Sequence, residues 1–258
     1  LSLTEACNLR CKYCYYKESH EDRCLNMSDE ILETAVRVAF ERTLQLKQSY
    51  FNVTFFGGEP LLRKESIFKT VDLINSLKQE RSSEIPQDFR VRYAVNTNCT
   101  LLNDEILEYL RREKFRIFVS LDGPAEHHNI ARRTVQGTGS FELLKPFIPA
   151  LVQMDTVVIS VVTRNHVPTL ADSVKWIFDQ GFKQVTTALD FDGKWTGEDY
   201  DALAQQYVKM ADFWVARKKE NPKDLFYLGT IQDKLKFKLQ GLRHKEITCH
   251  VFEGAIGV

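Results

Sequence analysis

Between residues 1 and 189, short apolar segments alternate with longer ones whose apolar side chains recur every third or fourth position, and no other feature constrains the fold as much. Parallel strands need crossover connections, usually helical, and strands covered by helices read as apolar runs. The alternation therefore predicts a parallel sheet packed with helices. Strands are expected at residues 1–5, 52–56, 91–96, 116–121, 157–163 and 184–189. The first helix is expected over 28–47, where Ser28 can cap it, Asp29 and Glu30 suit its positive end, and Leu32, Val36, Phe40 and Leu44 form one stripe. Further helices are expected after Pro60 through about residue 78, at 103–112, at 141–153 and at 170–180. Periodicity alone leaves two architectures open, a partial (β/α)6 barrel and a doubly wound open sheet.

After Leu189 the pattern changes to a polar, glycine-containing loop and two helical stretches, near 198–219 and 229–242. This divides the chain into a core over 1–195 and a helical C-terminal extension over 196–258. The chain begins at Leu1 without a methionine, already inside a strand, and stops at Val258, so it reads as a piece of a longer protein.

With 258 residues and 43% hydrophobic side chains the chain can bury one barrel-sized core. Its 35 basic and 35 acidic residues are dispersed, apart from short clusters such as Arg217-Lys218-Lys219. Such a balance gives no bulk field for nucleic acid or an anionic membrane. The longest apolar stretch, 157–162, is far short of the roughly 20 residues that span a bilayer, and no signal peptide is expected. A soluble, cytoplasmic protein is expected. Of six cysteines, three lie within eight residues, which suits metal thiolates in a reducing compartment better than a disulfide framework.

Those three, Cys7, Cys11 and Cys14, are spaced C-x3-C-x2-C with Tyr13 before the last. They follow the first strand, which places them at the C-terminal mouth of a barrel, where active sites sit. Three thiolates can hold three irons of a four-iron cluster and leave the fourth open; the competing reading is structural zinc, with His20 or Cys24 as fourth ligand. Gly57-Gly58-Glu59-Pro60 ends the second strand, and its glycines would let a ligand approach the backbone. The fourth strand ends in Ser120-Leu121-Asp122-Gly123-Pro124, followed by His128, Asn129 and Arg132. A guanidinium can pair with a carboxylate while a serine hydroxyl holds the same ligand. Asp190 and Asp192 come at the same mouth and could face substrate, although acidic residues in such loops are commonly turn formers.

Taken together these three motifs resemble the radical S-adenosylmethionine (AdoMet) enzymes, also called radical SAM enzymes, and within them the SPASM-type peptide and protein maturases of the anaerobic sulfatase-maturase kind. The resemblance covers residues 1 to about 189 and favours the barrel. It implies that Cys7, Cys11 and Cys14 bind a 4Fe–4S cluster; that Tyr13, Gly57, Gly58, Glu59, Ser120, Arg132 and Leu189 line AdoMet; and that no protein side chain need be the radical source. It also implies a peptide or protein substrate, which undergoes thioether crosslinking or Cys/Ser oxidation, and a reductant such as flavodoxin or ferredoxin. Cys249 resembles the first cysteine of a SPASM module, which carries auxiliary 4Fe–4S clusters. Cys99 stands where relatives usually have glycine, so the geometry of that loop is in question, and Cys24 reads as a free structural thiol. The runner-up is a small-molecule enzyme such as the molybdenum-cofactor cyclase, and from another class a zinc-stabilised peptide-binding domain.

Overall fold

The computed structural model describes residues 1–16 and 25–240. Among them, strands β1 (Ser2–Thr4), β2 (Tyr50–Gly57), β3 (Arg90–Thr97), β4 (Arg116–Ser120), β5 (Thr156–Val162), β6 (Gln184–Leu189) and β7 (Tyr227–Leu228) form one sheet. The helices are α1 (Asp29–Gln45), α2 (Lys64–Glu80), α3 (Asp104–Arg112), α4 (Ala125–Ala131), α5 (Phe141–Leu144), α6 (Ile148–Leu151), α7 (Leu170–Asp179), α8 (Gly197–Glu220) and α9 (Gly229–Gln240).

Every adjacent strand pair is parallel, and the spatial order β1 to β7 is the chain order. A doubly wound sheet would reverse direction at a switch point, and this one does not. Burial gives the same answer. Phe51, Val53 and Phe55 of β2 are buried, whereas Tyr50, Asn52, Thr54 and Phe56 between them are exposed. In β5 the buried Val158, Ser160 and Val162 alternate with half-buried Val157, Ile159 and Val161. One face therefore carries the helices and the other is open, as in a partial barrel; strands covered on both faces would not alternate. The ambiguity left by periodicity is resolved in favour of the partial α/β barrel, with seven strands instead of six. β7 is only two residues long, too short to give a periodic signal.

The caps explain the helix starts. Ser28 Oγ accepts from Ile31 N at 3.2 Å and Asn103 Oδ1 from Ile106 N at 2.9 Å, each satisfying a donor the first turn leaves open. The expected helix over 141–153 is broken into α5, a 3-10 turn (Lys145–Phe147) and α6. Pro146 and Pro149 lack the N–H that a continuous helix needs, so the i to i−4 ladder fails there.

The segment expected as an outgoing extension is built onto the barrel in its first part. α8 starts with a capping box, Thr196 with Asp199, and buries Leu203 and Met210 in the common core. Its Gln206 takes Ala171 N at 3.1 Å and gives to Pro168 O at 3.2 Å, so it caps α7. β7 then pairs with β6, Gln184 opposite Tyr227. His20, Cys24 and Cys249 lie outside the described residues.

Candidate active site

Three strand-end segments are stitched into one wall at the C-terminal mouth. The cysteine loop leaves β1, and its first residues meet the end of β2: Gly58 N donates to Thr4 O at 2.7 Å and Glu59 N to Ala6 O at 2.8 Å. Its middle meets the chain after α4, with Arg10 N on Arg133 O at 2.7 Å, Lys12 N on Ala131 O at 3.0 Å, and Leu9 bridging Thr134. Buried Leu9 anchors the loop in the core. Its third seam is to the end of β3, where Asn98 Nδ2 donates to Asn8 Oδ1 at 3.0 Å and Asn8 Nδ2 to Thr100 Oγ1 at 2.7 Å.

This arrangement gives the paired glycines a structural reason. A Cβ on Gly57 would lie 2.2 Å from Thr4 O, and one on Gly58 2.2 Å from Ala6 O. Gly57 also has φ +125°, a conformation other residues avoid. The space is taken by the backbone at the end of β1 and the start of the cysteine loop, so the fold itself requires glycine at both positions.

Glu59 is likewise committed to the protein. Its Oε1 accepts from Leu61 N at 3.0 Å and Thr97 Oγ1 at 2.8 Å, and its Oε2 from Asn98 N at 2.8 Å. Burial pushes its pKa up to about 7 against those three donors, which favour the charged form. The carboxylate thus clamps the end of β2 to the end of β3. Beyond it, Cys99 adopts φ 63° although it is not glycine, so the loop keeps the left-handed turn at a cost of about 1 kcal/mol. Its N–H donates to Thr97 Oγ1 at 2.9 Å. The side chain is fully buried, and burial raises its thiol pKa, as fits a packed, unreactive cysteine.

Arg132 is buried and forked onto Asp122, Nε to Oδ2 at 2.7 Å and Nη2 to Oδ1 at 3.0 Å. Asp122 Oδ1 also accepts from Val161 N at 2.9 Å. Burial would raise the Asp122 pKa, but the Arg132 charge and its hydrogen bonds outweigh that and hold the carboxyl below its usual value. So the paired bonds expected for a ligand carboxylate go first to a protein one. The Nη1 nitrogen has no partner among the described residues. The guanidinium also lies 5.4 Å from the Tyr13 ring centroid. Tyr13 is half-buried, and its buried hydroxyl has no nitrogen or oxygen partner but lies within hydrogen-bonding reach of the Cys11 thiol.

A polar lattice fixes the Asp122 loop from behind. Because Asp122 N donates to His128 Nδ1 at 3.4 Å, His128 Nε2 carries the proton and donates to Ser140 Oγ at 3.0 Å. Ser140 then donates to Arg132 O at 3.1 Å. Burial lowers the His128 pKa to about 3, so the ring is neutral at ordinary pH. Gly123, at φ +134°, packs against Ser173, whose hydroxyl sits between His127 Nδ1 at 2.8 Å and His166 Nε2 at 3.0 Å. Sequence reasoning missed the roles of Asp122, Asn98 and His166, whose partners Arg132, Cys7 and Ser173 lie 10, 91 and 7 residues away respectively.

Ser120 ends β4 on the open face, alternating with buried Ile117 and Val119, and its hydroxyl has no partner among the described residues. Leu189 ends β6 and is half-buried. It stands opposite Val162, in phase with the buried Val185, and packs on the core, so strand alternation places it on the helix-covered side. Asp190 serves a turn: its carbonyl accepts from Gly193 N at 3.2 Å and Trp195 Nε1 at 2.7 Å. Asp192 is exposed.

The three site cysteines are free thiols on one loop. They are near enough for each charge to act on the others, and burial drives the Cys7 pKa to about 11 and raises that of Cys11. Thiols so placed become thiolates when a metal centre compensates their charge. Among the described residues no three His, Cys, Asp or Glu side chains converge as a single ion requires. The fourth ligands of the zinc reading, His20 and Cys24, lie outside the described residues, and three thiols on one loop suit a cluster, which takes one thiolate per iron.

The radical SAM superfamily pattern matches residues 1–168, and the chain belongs to that superfamily, whose members use a 4Fe–4S cluster and AdoMet. Within it, the chain is similar to anaerobic sulfatase-maturating enzymes. It is 27% identical over 229 residues to the cysteine-type enzyme of Clostridium perfringens, covering 82% of this chain and 58% of that protein. The chain thus spans little more than half of that relative. It is also 35% identical over 126 residues to a GTP 3′,8-cyclase of Clostridium perfringens, covering 47% of this chain and 33% of that protein. The AdoMet-bound structure of anSMEcpe superposes with a TM-score of 0.75 at 23% identity, over 93% of this chain and 65% of that one. The likeness shows a shared fold, the radical SAM partial barrel. No helix among the described residues is long and apolar enough to cross a membrane.

Proposed function

We propose that this chain is the AdoMet-cleaving core of a peptide or protein maturase that oxidises a Cys or Ser side chain or forms a thioether crosslink. The observation that carries the reading is the stitched wall: the cysteine loop is hydrogen-bonded at once to the ends of β2 and β3 and to the Arg132 segment. Cys7, Cys11 and Cys14 would hold three irons. When bound, the cluster supplies the electron that splits AdoMet into methionine and a 5′-deoxyadenosyl radical able to take hydrogen from substrate.

The protein's own part is placement. Arg132 offers Nη1 to the AdoMet carboxylate while Asp122 holds its other edge, and Ser120 adds a hydroxyl from the open face. Tyr13 and the turn at Gly57, Gly58 and Glu59 form the adjoining wall. Leu189 contributes through the core behind the sheet. No described acid or base is assigned to the substrate, and the groups that finish the reaction belong, on this reading, to an auxiliary-cluster module beginning near Cys249. A flavodoxin or ferredoxin in the cytoplasm is the proposed reductant.

The sulfatase-maturase likeness supports a peptide substrate, since anSMEcpe has been captured with AdoMet and a Kp18Cys peptide. The cyclase likeness supports a second reading, a small-molecule substrate. Hydrogen transfer separates them. With a peptide deuterated at the Cys or Ser β-carbon, the label is expected in 5′-deoxyadenosine; label arriving from deuterated GTP, and none from peptide, would support the second reading.

A further inference from the structure

The protein treats the three site cysteines unequally. Among the described residues, Cys7 Sγ receives two N–H groups, Leu9 N at 3.4 Å and Asn98 Nδ2 at 3.8 Å, whereas the sulfur of Cys11 has the hydroxyl of its near neighbour Tyr13 as a hydrogen-bond partner. The Leu9 contact is a local turn. The Asn98 contact comes from another strand end, 91 residues along the chain.

The Asn98 amide is also locked in orientation. Its Oδ1 accepts from both Thr100 N at 2.9 Å and Thr100 Oγ1 at 2.7 Å. Two donors on one side leave the nitrogen to face Asn8 Oδ1 at 3.0 Å and the Cys7 sulfur. Asn8 is fixed in turn, since its own Nδ2 donates to Thr100 Oγ1. The Asn98 backbone is tied by its N–H to buried Glu59. A rotated amide would set oxygen against oxygen at Asn8 and nitrogen against a donor at Thr100. An amide meant merely to brace the loop needs its oxygen; this one also holds its N–H groups toward a metal-ligating thiol.

A cluster that gains an electron gains negative charge on its sulfurs, so an N–H donor stabilises the reduced form more than the oxidised one. We propose that Asn98 is a positioning residue that acts through Cys7 Sγ to raise the reduction potential of the cluster. This rests on Cys7 being a cluster ligand, and it assigns to the Thr97-Asn98-Cys99 turn a role in electron uptake.

The test is the cluster's midpoint potential, measured by EPR-monitored titration of the anaerobically reconstituted chain without AdoMet, alongside iron and sulfide content. Asn98→Leu, similar in volume and without the donor, is expected to keep its iron and to hold roughly three- to tenfold less reduced cluster at a fixed ambient potential. That is a downward shift of at most about 59 mV. Asn98→Asp should shift further in the same direction, because it replaces the donor by a negative charge. Should Asn98→Leu lose its cluster, Thr100→Val decides: it keeps the amide and the Thr100 N–H bond to it but removes the hydroxyl that also holds its orientation, and a smaller downward shift is expected. An unchanged or raised midpoint in a variant with full iron overturns the inference while leaving the cluster assignment intact. A wild-type chain that binds no iron overturns the cluster assignment and this inference together.

Discussion

Replacing Glu59 by glutamine removes one titrating group from the join between β2 and β3, and its effect on stability can be worked from the site. The carboxyl is 1% exposed, and its pKa rises from 4.5 to about 7 on folding. The folded value is the higher one, so the folded state holds the proton more tightly. The stabilisation is therefore complete below about pH 4.5 and is lost as pH rises through about 7, at about 1.4 kcal/mol per unit, or about 3 kcal/mol in all. Urea unfolding of the metal-free chain between about pH 5 and 8, read as the midpoint at constant slope, follows this directly. Other groups titrate in that window, so the informative quantity is wild type minus Glu59→Gln. That difference should fall with pH up to about 7 and then level off. The variant should also be weaker by about 1–3 kcal/mol at its best, because one end of the glutamine amide must face Leu61 N or Asn98 N, both donors. Parallel pH profiles in the two proteins would refute the burial-driven shift.

Two other substitutions test the wall. Asp122→Asn strands the Arg132 guanidinium and should cost about 3–5 kcal/mol in urea unfolding, whereas the paired change Asp122→Leu with Arg132→Met should cost less than either charge removed alone; a double variant weaker than both singles would contradict this. Gly58→Ala drives a Cβ to 2.2 Å from Ala6 O, so the cysteine loop must move; a loss of more than about 2 kcal/mol together with reduced iron uptake is expected, and full iron uptake at wild-type stability would show that the loop does not depend on that contact.

Much of this was legible in the sequence because the signals are local. The Ser28 and Asn103 caps fall where the helix starts place them, and the three motifs lie at strand ends in the expected order. What escaped depends on contacts between distant segments. The glycines after β2 read as room for a ligand, and nothing in their neighbourhood announces that Thr4 and Ala6 also press against them. Arg132 read as a partner for a ligand carboxylate alone because Asp122 is a fold-dependent partner. Leu189 read as a lining residue, and only the pairing of β6 with β5 shows which face it takes. Pro146 and Pro149 did announce the broken helix, and the apolar pattern across 141–153 masked them.

The central claim is that Cys7, Cys11 and Cys14 form one side of a cluster and AdoMet site. Its most direct measurement is iron, acid-labile sulfide and 5′-deoxyadenosine in the anaerobically reconstituted chain with AdoMet and dithionite, compared with Cys11→Ala and Cys24→Ala. The wild-type chain and Cys24→Ala should each carry about four irons and four sulfides at this site and release 5′-deoxyadenosine, while Cys11→Ala loses both. One tightly bound zinc in the wild-type chain, with no AdoMet cleavage, would contradict the claim.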